Sequence, residues 1–396
     1  MEEDYRYKEI VELEGTSIIS NKKKKICEKS GVSYFDESHD VDDDMYYTSD
    51  DGGKTPSPPP EPLYSGKTPV FDQISELYIS GEDEEEPDDI NERSNAFVET
   101  MEEEDKIQYD TVEEFFKLMI RKFDTSSHSF IWRCLLLWYL FPKNCEFYME
   151  DIIHLWIAQS FNNFPLDEDA ACLWYEEFEQ MRVVEPSCLD SSTGRLRYKL
   201  NHSFVDLLQA QPNIINRYYR DGNAYISERT LHASLQDNFD PVKLQDLYPS
   251  KGLVTLLILH KQGSRLDQIP RDLFLKLTLL RALDLSHTCI TELPSSIGNL
   301  EDLRYLNLSG TPITTLPGSL CSLYQLQTLK LRGCLKFLRL PKGMHKLVNI
   351  RHLDVDVSCL MNSMPPGFGN LAELRTLPAF IVSKESGCHI TELKNL

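Results

Sequence analysis

The chain has 396 residues, room for two or three domains, and a formal charge of −22 that is strongly uneven along its length. Residues 1–110 hold 32 acids against 11 bases, so the remainder is nearly neutral. An acidic chain repels phosphate backbones, which argues against a nucleic-acid partner. The ten cysteines form no CxxC pair and no Cys/His cluster at zinc spacing, which argues against a metal module and for buried thiols in a reducing compartment.

The N-terminus, MEEDYRYKEIVELEG, lacks a basic stretch followed by an apolar run, so no secretory signal is expected. The longest apolar run, Ile131 to Phe141, contains Arg133 and is too short to span a bilayer. A cytoplasmic location without a membrane partner follows, with the nucleus as an alternative through the basic cluster Lys22 to Lys25. Residues 1–108 are expected to form a disordered acidic tail, because charge runs such as Glu82 to Asp89 and the segment PSPPPEP leave little to bury against the entropy of folding. Gly53-Lys54-Thr55 and Gly66-Lys67-Thr68 each imitate the end of a phosphate-binding loop. Thr48 and Glu61 stand where its first glycine belongs, and proline follows each threonine where its helix should begin, so neither is expected to bind nucleotide. Thr55-Pro56, Ser57-Pro58 and Thr68-Pro69 are candidate sites of proline-directed phosphorylation.

Order is expected from residue 109. Thr111 and Glu114 form a capping box, and Val112, Phe115, Phe116, Met119, Ile120 and Phe123 recur at helical spacing. Three helices follow: Phe130 to Phe141, stopped by Pro142, then Met149 to Phe161 and Asp167 to Met181. Val183-Val184 and Leu196 to Leu200 read as two short strands across the turn Asp190 to Gly194, and His202 to Ala210 as a last helix. Three helices and a two-stranded wing suggest a winged-helix domain over 109–211. The four tryptophans, Trp132, Trp138, Trp156 and Trp174, are its candidate core. DNA binding by this domain is not expected, since residues 125–210 hold 12 acids and 6 bases and the groove-entering segment would be Glu150-Asp151-Ile152-Ile153-His154.

Residues 212–252 read as a connector with a strand-like segment around Tyr225 to Leu235, and 253–396 as a repeat array that opens on an atypical strand, Leu253 to Leu259, and is incomplete at its C-terminal end. Leu280, Leu283 and Leu285 recur as Leu303, Leu306, Leu308, as Leu326, Leu329, Leu331, and as Ile350, Leu353, Val355, with a further start at Leu374 and Leu377. The steps of 23, 23, 24 and 24 residues are those of leucine-rich repeats. Two further ladders keep step: Leu293-Pro294, Leu316-Pro317, Leu340-Pro341 and Met364-Pro365, and the small residues Thr288, Thr311, Cys334 and Ser358, placed to bond the turn after each strand. The fold class is therefore α/β: an acidic tail, a winged helix and a leucine-rich-repeat solenoid.

No catalytic constellation is present in the sequence: no GxSxG, HExxH, kinase or dinucleotide signature, and no histidines at metal-ligand spacing. An enzyme is not expected, nor a cofactor. What remains is a surface. Strands stacked about 4.8 Å apart set equivalent residues in columns. The candidate partner-binding residues of the concave face are Arg281, Asp284, Arg304, Tyr305, Asn307, Lys330, Arg351, His352, Asp354 and Arg375. Residues 280–396 carry 12 bases and 9 acids, opposite in sign to the tail; an arginine after the first leucine reads first as an ordinary solvated residue of such repeats, and contact with an acidic partner, the chain's own N-terminus among the candidates, is the alternative.

Arg133 to Leu137 through Phe141-Pro142, with Glu150 to Ala158, resembles the winged-helix subdomain of plant nucleotide-binding leucine-rich-repeat resistance proteins of the coiled-coil class. SHTCITELPSSIGNLEDLRYLNLSGTPITTLP and MPPGFGNLAELRTLPAFIVSKESGCHITELKNL are similar to the repeats of the same family. The resemblance implies a role in plant defence through a protein partner: a pathogen effector, a guarded host protein or another receptor. A general signalling scaffold, or a fragment of a receptor switched by ADP and ATP, are its alternatives. The family's phosphate loop has no counterpart before the winged helix. Leu200, Asn201 and His202 stand where the family has the Met-His-Asp motif that senses nucleotide, so that sensor is degenerate.

Burying one leucine stabilises by roughly 1.5 to 3 kcal/mol, so no repeat holds its shape without neighbours. Leu306→Asp, a change in mid-stack, is expected to unfold several repeats together, read as lost circular dichroism signal and new proteolytic sites; a native-like mutant would contradict this.

Overall fold

The computed structural model describes residues 9–12, 130–159, 168–191, 194–209, 217–220, 226–236, 241–259, 266–356, 359–361, 363–382 and 390–395. The expected helix over 111–123, the loop-like tripeptides, the basic cluster and the phosphorylation candidates lie outside them. From the acidic segment one strand is described, β1 (Glu9–Glu12).

Next comes α1 (Phe130–Leu137), continued by a 3-10 turn over Trp138–Leu140. The backbone turns extended at Phe141, as the residue before Pro142 must. β2 (Glu146–Phe147), α2 (Met149–Ala158), α3 (Glu168–Gln180), β3 (Val184–Leu189), β4 (Leu196–Leu200) and α4 (His202–Gln209) complete this unit. Acids occupy the first turns of α2 and α3, where the helix dipole favours negative charge. The sheet has three strands in the order β2-β4-β3, one more than the sequence suggested. β2 pairs Glu146 with Lys199 and Phe147 with Tyr198, and two residues are too few to leave a period.

Trp138 centres the unit's core. Its ring lies 5.4 Å from Trp156, 5.0 Å from Phe178 and 5.8 Å from Phe204, in tilted or edge-on contacts. Trp156 Nε1 donates to the Cys134 carbonyl at 3.1 Å, so its one polar atom is paired. Trp174 is likewise fully buried.

The solenoid is one parallel sheet of seven strands: β5 (Tyr218–Arg220), β6 (His232–Gln236), β7 (Thr255–Leu259), β8 (Ala282–Asp284), β9 (Tyr305–Asn307), β10 (Thr328–Leu331) and β11 (His352–Val355). β5 and β6 fall inside the stretch read as a connector, so the array begins before residue 253. The reason is register: Ala233 and Leu235 lie beside Leu256 and Ile258, filling the same inward positions with a smaller pair. Inward leucines such as Leu283, Leu306, Leu329 and Leu353 are wholly buried in one continuous core.

Between strands the return segments repeat. A 3-10 turn over Pro241–Leu247 lies between β6 and β7, α5 (Leu273–Lys276) between β7 and β8, and 3-10 turns over Ser295–Asn299 and Gly318–Ser322 serve the next two, each of these two entered from an extended proline, Pro294 or Pro317. After the strands, Thr288 Oγ1 and Thr311 Oγ1 donate to the carbonyls of Leu285 and Leu308, both at 2.7 Å. Cys334 Sγ instead reaches Leu308 of the preceding repeat at 3.0 Å. Ser358 lies outside the described residues.

Beyond β11 the last strand, β12 (Ala379–Val382), leaves the parallel sheet and pairs antiparallel with β1, Glu9 opposite Val382 and Glu12 opposite Ala379. Disorder was expected throughout 1–108, and these four residues depart from it. An unpaired strand edge offers backbone donors and acceptors to any extended segment within reach. The thiol expectation also needs correction: Cys188 and Cys289 are exposed, whereas Cys134, Cys321, Cys334 and Cys359 are buried.

The turns after β8, β9 and β10 each hold a left-handed residue at one place, His287 (φ 58°), Gly310 (φ 70°) and Gly333 (φ 72°). A Cβ on Gly310 would stand 2.4 Å from His287 Nδ1. Gly310→Ala is expected to cost about 1 to 3 kcal/mol in chemical denaturation, with His287→Ala in the same chain recovering the part due to the clash.

Candidate functional site

Along a strand, side chains alternate between the two faces of the sheet. One outward column runs His232, Thr255, Ala282, Tyr305, Thr328, His352, and the next runs Ser234, Leu257, Asp284, Asn307, Lys330, Asp354. On an isolated solenoid these residues would face water. Every one of them is buried, because the helical unit lies in the concave face.

The contact follows the curve of the sheet. At its start, Arg220 Nη1 donates to the carbonyls of Tyr139 and Phe141 at 3.3 Å, and Ser234 Oγ to that of Leu140 at 2.7 Å. These are carbonyls that the end of α1 leaves without a helical donor. In the middle, Leu257, Ala282 and Tyr305 join the apolar core of Trp138 and Trp156. Further on, Lys330 on β10 pairs with Asp151 of α2. At the far end Glu168, the first residue of α3, meets His352 Nε2 at 3.1 Å and Arg375 Nη1 at 3.2 Å.

Burial sets the electrostatics of this joint. The His154 ring on α2 stacks on His352 with centroids 3.9 Å apart and planes 29° from parallel. Both its ring nitrogens are buried without a hydrogen-bond partner among the described residues. Desolvation, with His352, Lys330 and Arg195 nearby, holds its imidazole well below the ordinary histidine range. His232, under the end of α1, is pushed down to about 3, first by burial and then by Arg133, Arg217 and Arg281. For Glu168 burial opposes ionisation, but the bond with His352, its charge and Arg375 outweigh it, so the carboxyl lies below its usual value. Asp284 goes the other way: burial raises it despite hydrogen bonds from Ser286 and Asn307.

The ten residues read as a partner-binding surface are thus mostly not open. Asp284, Arg304, Tyr305, Asn307, Lys330, His352 and Asp354 are buried, Arg281 and Arg351 half-buried, and only Arg375 is exposed. The sequence showed the columns and could not show that a second domain covers them. An acidic counterpart does meet the basic column, but it comes from α2 and α3. Asp151, His154 and Glu168 were missed as site residues. Their signal was slight: two acids in first turns, and one histidine on an otherwise apolar helix face.

Leu200, Asn201 and His202 have structural roles. Leu200 ends β4 and is buried. Asn201 caps α4, its Oδ1 accepting from the Ser203 amide at 2.9 Å while its Nδ2 donates to Glu185 at 2.8 Å. His202 is exposed. Among the described residues no group of three His, Cys, Asp or Glu could hold a metal ion, and no helix is long and apolar enough to cross a membrane.

Residues 296–396 match the model of a leucine-rich repeat region, and 254–313 that of a leucine rich repeat. With the parallel sheet and its leucine core, these make the chain a leucine-rich-repeat protein. Its curated relatives are plant disease resistance proteins. One is disease resistance protein RGA4 of Solanum bulbocastanum, 32% identical over 268 residues that span 67% of this chain and 24% of the relative. Another is disease resistance RPP13-like protein 1 of Arabidopsis thaliana, 34% identical over 172 residues, 41% of this chain and 16% of the relative. The resemblance read from the sequence is therefore borne out, and the chain spans a quarter or less of these relatives' lengths. A solved leucine-rich-repeat protein of Leptospira interrogans aligns over 37% of this chain and 42% of its own at 22% identity, with a TM-score of 0.31.

Lys330 is nearly enclosed and Asp151 a quarter exposed, so removing one partner strands a charge in a place of restricted water. A double-mutant cycle of Lys330→Met and Asp151→Asn is expected to show a coupling of about 1 to 3 kcal/mol in denaturant unfolding. Additive single effects would mean the pair contributes nothing.

Proposed function

We propose that this chain is a non-enzymatic, disease-resistance-like protein that acts in plant defence by recognising a protein partner through its repeats. The four helices α1 to α4 and the three-stranded sheet act in it as a winged-helix bridge. The observation that carries the reading is the covered concave face: Lys330, His352 and Arg375 on it are paired with Asp151 and Glu168 of α2 and α3, and Asp354 with Arg332. Protein recognition is the role that such a solenoid leaves open, and the curated relatives carry disease-resistance names. A partner would take the exposed rim and convex residues, Arg375, Tyr324, Leu335 and Val348 among them, or displace the helical unit.

DNA binding by the helical unit is disfavoured by the same packing. Ile152, Ile153 and His154 of α2 are buried, Asp151 pairs with Lys330, and Glu150 with Arg195. A cytoplasmic site of action fits this reading, with the nucleus as the alternative. The second reading, a piece of a nucleotide-switched receptor, draws on the fraction of each relative that the chain spans.

Isothermal titration of the purified chain with ATP and ADP separates the two, and no heat of binding is expected for either nucleotide. Micromolar binding would restore the switched receptor as the first reading. Disruption of the gene in the source plant is expected to weaken resistance to at least one pathogen in a challenge panel, and unchanged resistance throughout would remove the defence role.

A further inference from the structure

His154 occupies an unusual place. It is a titratable ring in the middle of a joint between two packed units, stacked face to face on a second titratable ring, with neither nitrogen bonded to any described residue. His352, by contrast, has a partner at each nitrogen: Thr376 Oγ1 at 3.1 Å and Glu168 Oε1 at 3.1 Å. A proton on His154 would put a positive charge on a buried ring 3.9 Å from its neighbour, with two N–H groups and no described acceptor for either.

We propose that the stacked His154 and His352 rings make the joint between the helical unit and the concave face a proton-sensitive latch, closed at neutral pH and released on acidification. Charged groups surround the stack on every side. Glu150 and Asp151 come from α2, Arg195 from the start of β4, Lys330 from β10, Asp354 from β11, and Glu168 with Arg375 from the far rim. The acids among them are taken up: Glu150 by Arg195, Asp151 by Lys330, Asp354 by Arg332, Glu168 by His352 and Arg375. Among the described residues no acid accepts a hydrogen bond from either nitrogen of His154.

The sign follows. Burial depresses the His154 pKa in the closed joint, so the open form binds the proton more readily. Closure is therefore fully favoured above the ordinary histidine value of about 6.5 and is lost as pH falls through it. One unit lower, a free histidine shifts the equilibrium toward the open form by about tenfold. Carboxylates ordinarily titrate near 4, and Asp284, which burial raises, is the acid of this face that could also respond, so the His154 variants decide whether a change by pH 5.5 belongs to the imidazole. The latch belongs to the joint and holds whatever partner the repeats take.

Tyr305 reports on it, being 2% exposed beneath α2. Hydroxyl-radical footprinting of the full chain, read by mass spectrometry with circular dichroism confirming retained structure, is expected to show Tyr305 oxidation rising about tenfold between pH 8 and pH 5.5. His154→Phe keeps a ring for the stack and removes the proton, so its Tyr305 oxidation is expected to stay level; His154→Met serves the same reading should the phenylalanine variant not fold. Wild-type oxidation that does not change with pH would overturn the latch. A variant that opens as the wild type does would also overturn it, moving the acid response to His232 or Asp284.

Discussion

A parallel strand has two faces, and in this protein both must be dry. The inward leucines are covered by the neighbouring repeats and their return turns, as in any solenoid. The outward residues are covered by a separate unit, and the rest of the structure depends on that contact. It places polar groups such as Asp284, Asn307, Lys330 and Asp354 where water is scarce, so each must be paired or suffer the cost of an unmet hydrogen bond. The ladder from Asn307 to Asp284 and the bridge from Lys330 to Asp151 answer that demand.

The joint is graded along its length. At its start it is made of backbone carbonyls met by Arg220 and Ser234, groups that neither unit could satisfy alone. At its middle it is apolar, with Tyr305 and Leu257 entering the aromatic core around Trp138. At its far end it is ionic and holds the two stacked histidines. Apolar burial supplies most of the favourable free energy and is not directional. The polar ends fix the register of one unit on the other, since a shift of one strand would leave Lys330 and Glu168 buried without their partners.

This arrangement changes how the repeats are understood functionally. A bare concave face with a column of arginines looks made for an acidic ligand, and an acidic ligand is present, carried on the same chain. Any outside partner must work at the rim, on the convex side, or against the free energy that keeps the helices seated. Internal packing already occupies the concave surface. Asp151, His154 and Glu168, which hold this joint to the repeats, lie outside the repeats altogether.

Much of the fold was legible in the sequence. The period of 23 and 24 residues, the Leu-Pro corners and the threonine ladder specify a solenoid through local rules: strand alternation, the fixed φ of proline, a hydroxyl close to its own turn. Helices α1 to α4 followed from periodicity and from stops such as Pro142. β6 showed as a strand-like segment around Tyr225 to Leu235 but not as a repeat, because Thr230 and Ala233 stand where Leu253 and Leu256 stand in the next repeat, and β5, three residues long, was too short to show a period. β1 and β2 were hidden because strands of four and two residues carry no period.

The site divides in the same way. The sequence set the columns of the concave face, since alternation and period alone decide which residues share it. Which of those residues meet water was decided by the docking of two units, a contact between residues as distant as Asp151 and Lys330 that no local pattern encodes. Burial, pairing and proton affinity at His154 follow from that docking, because desolvation is a property of surroundings and not of the residue.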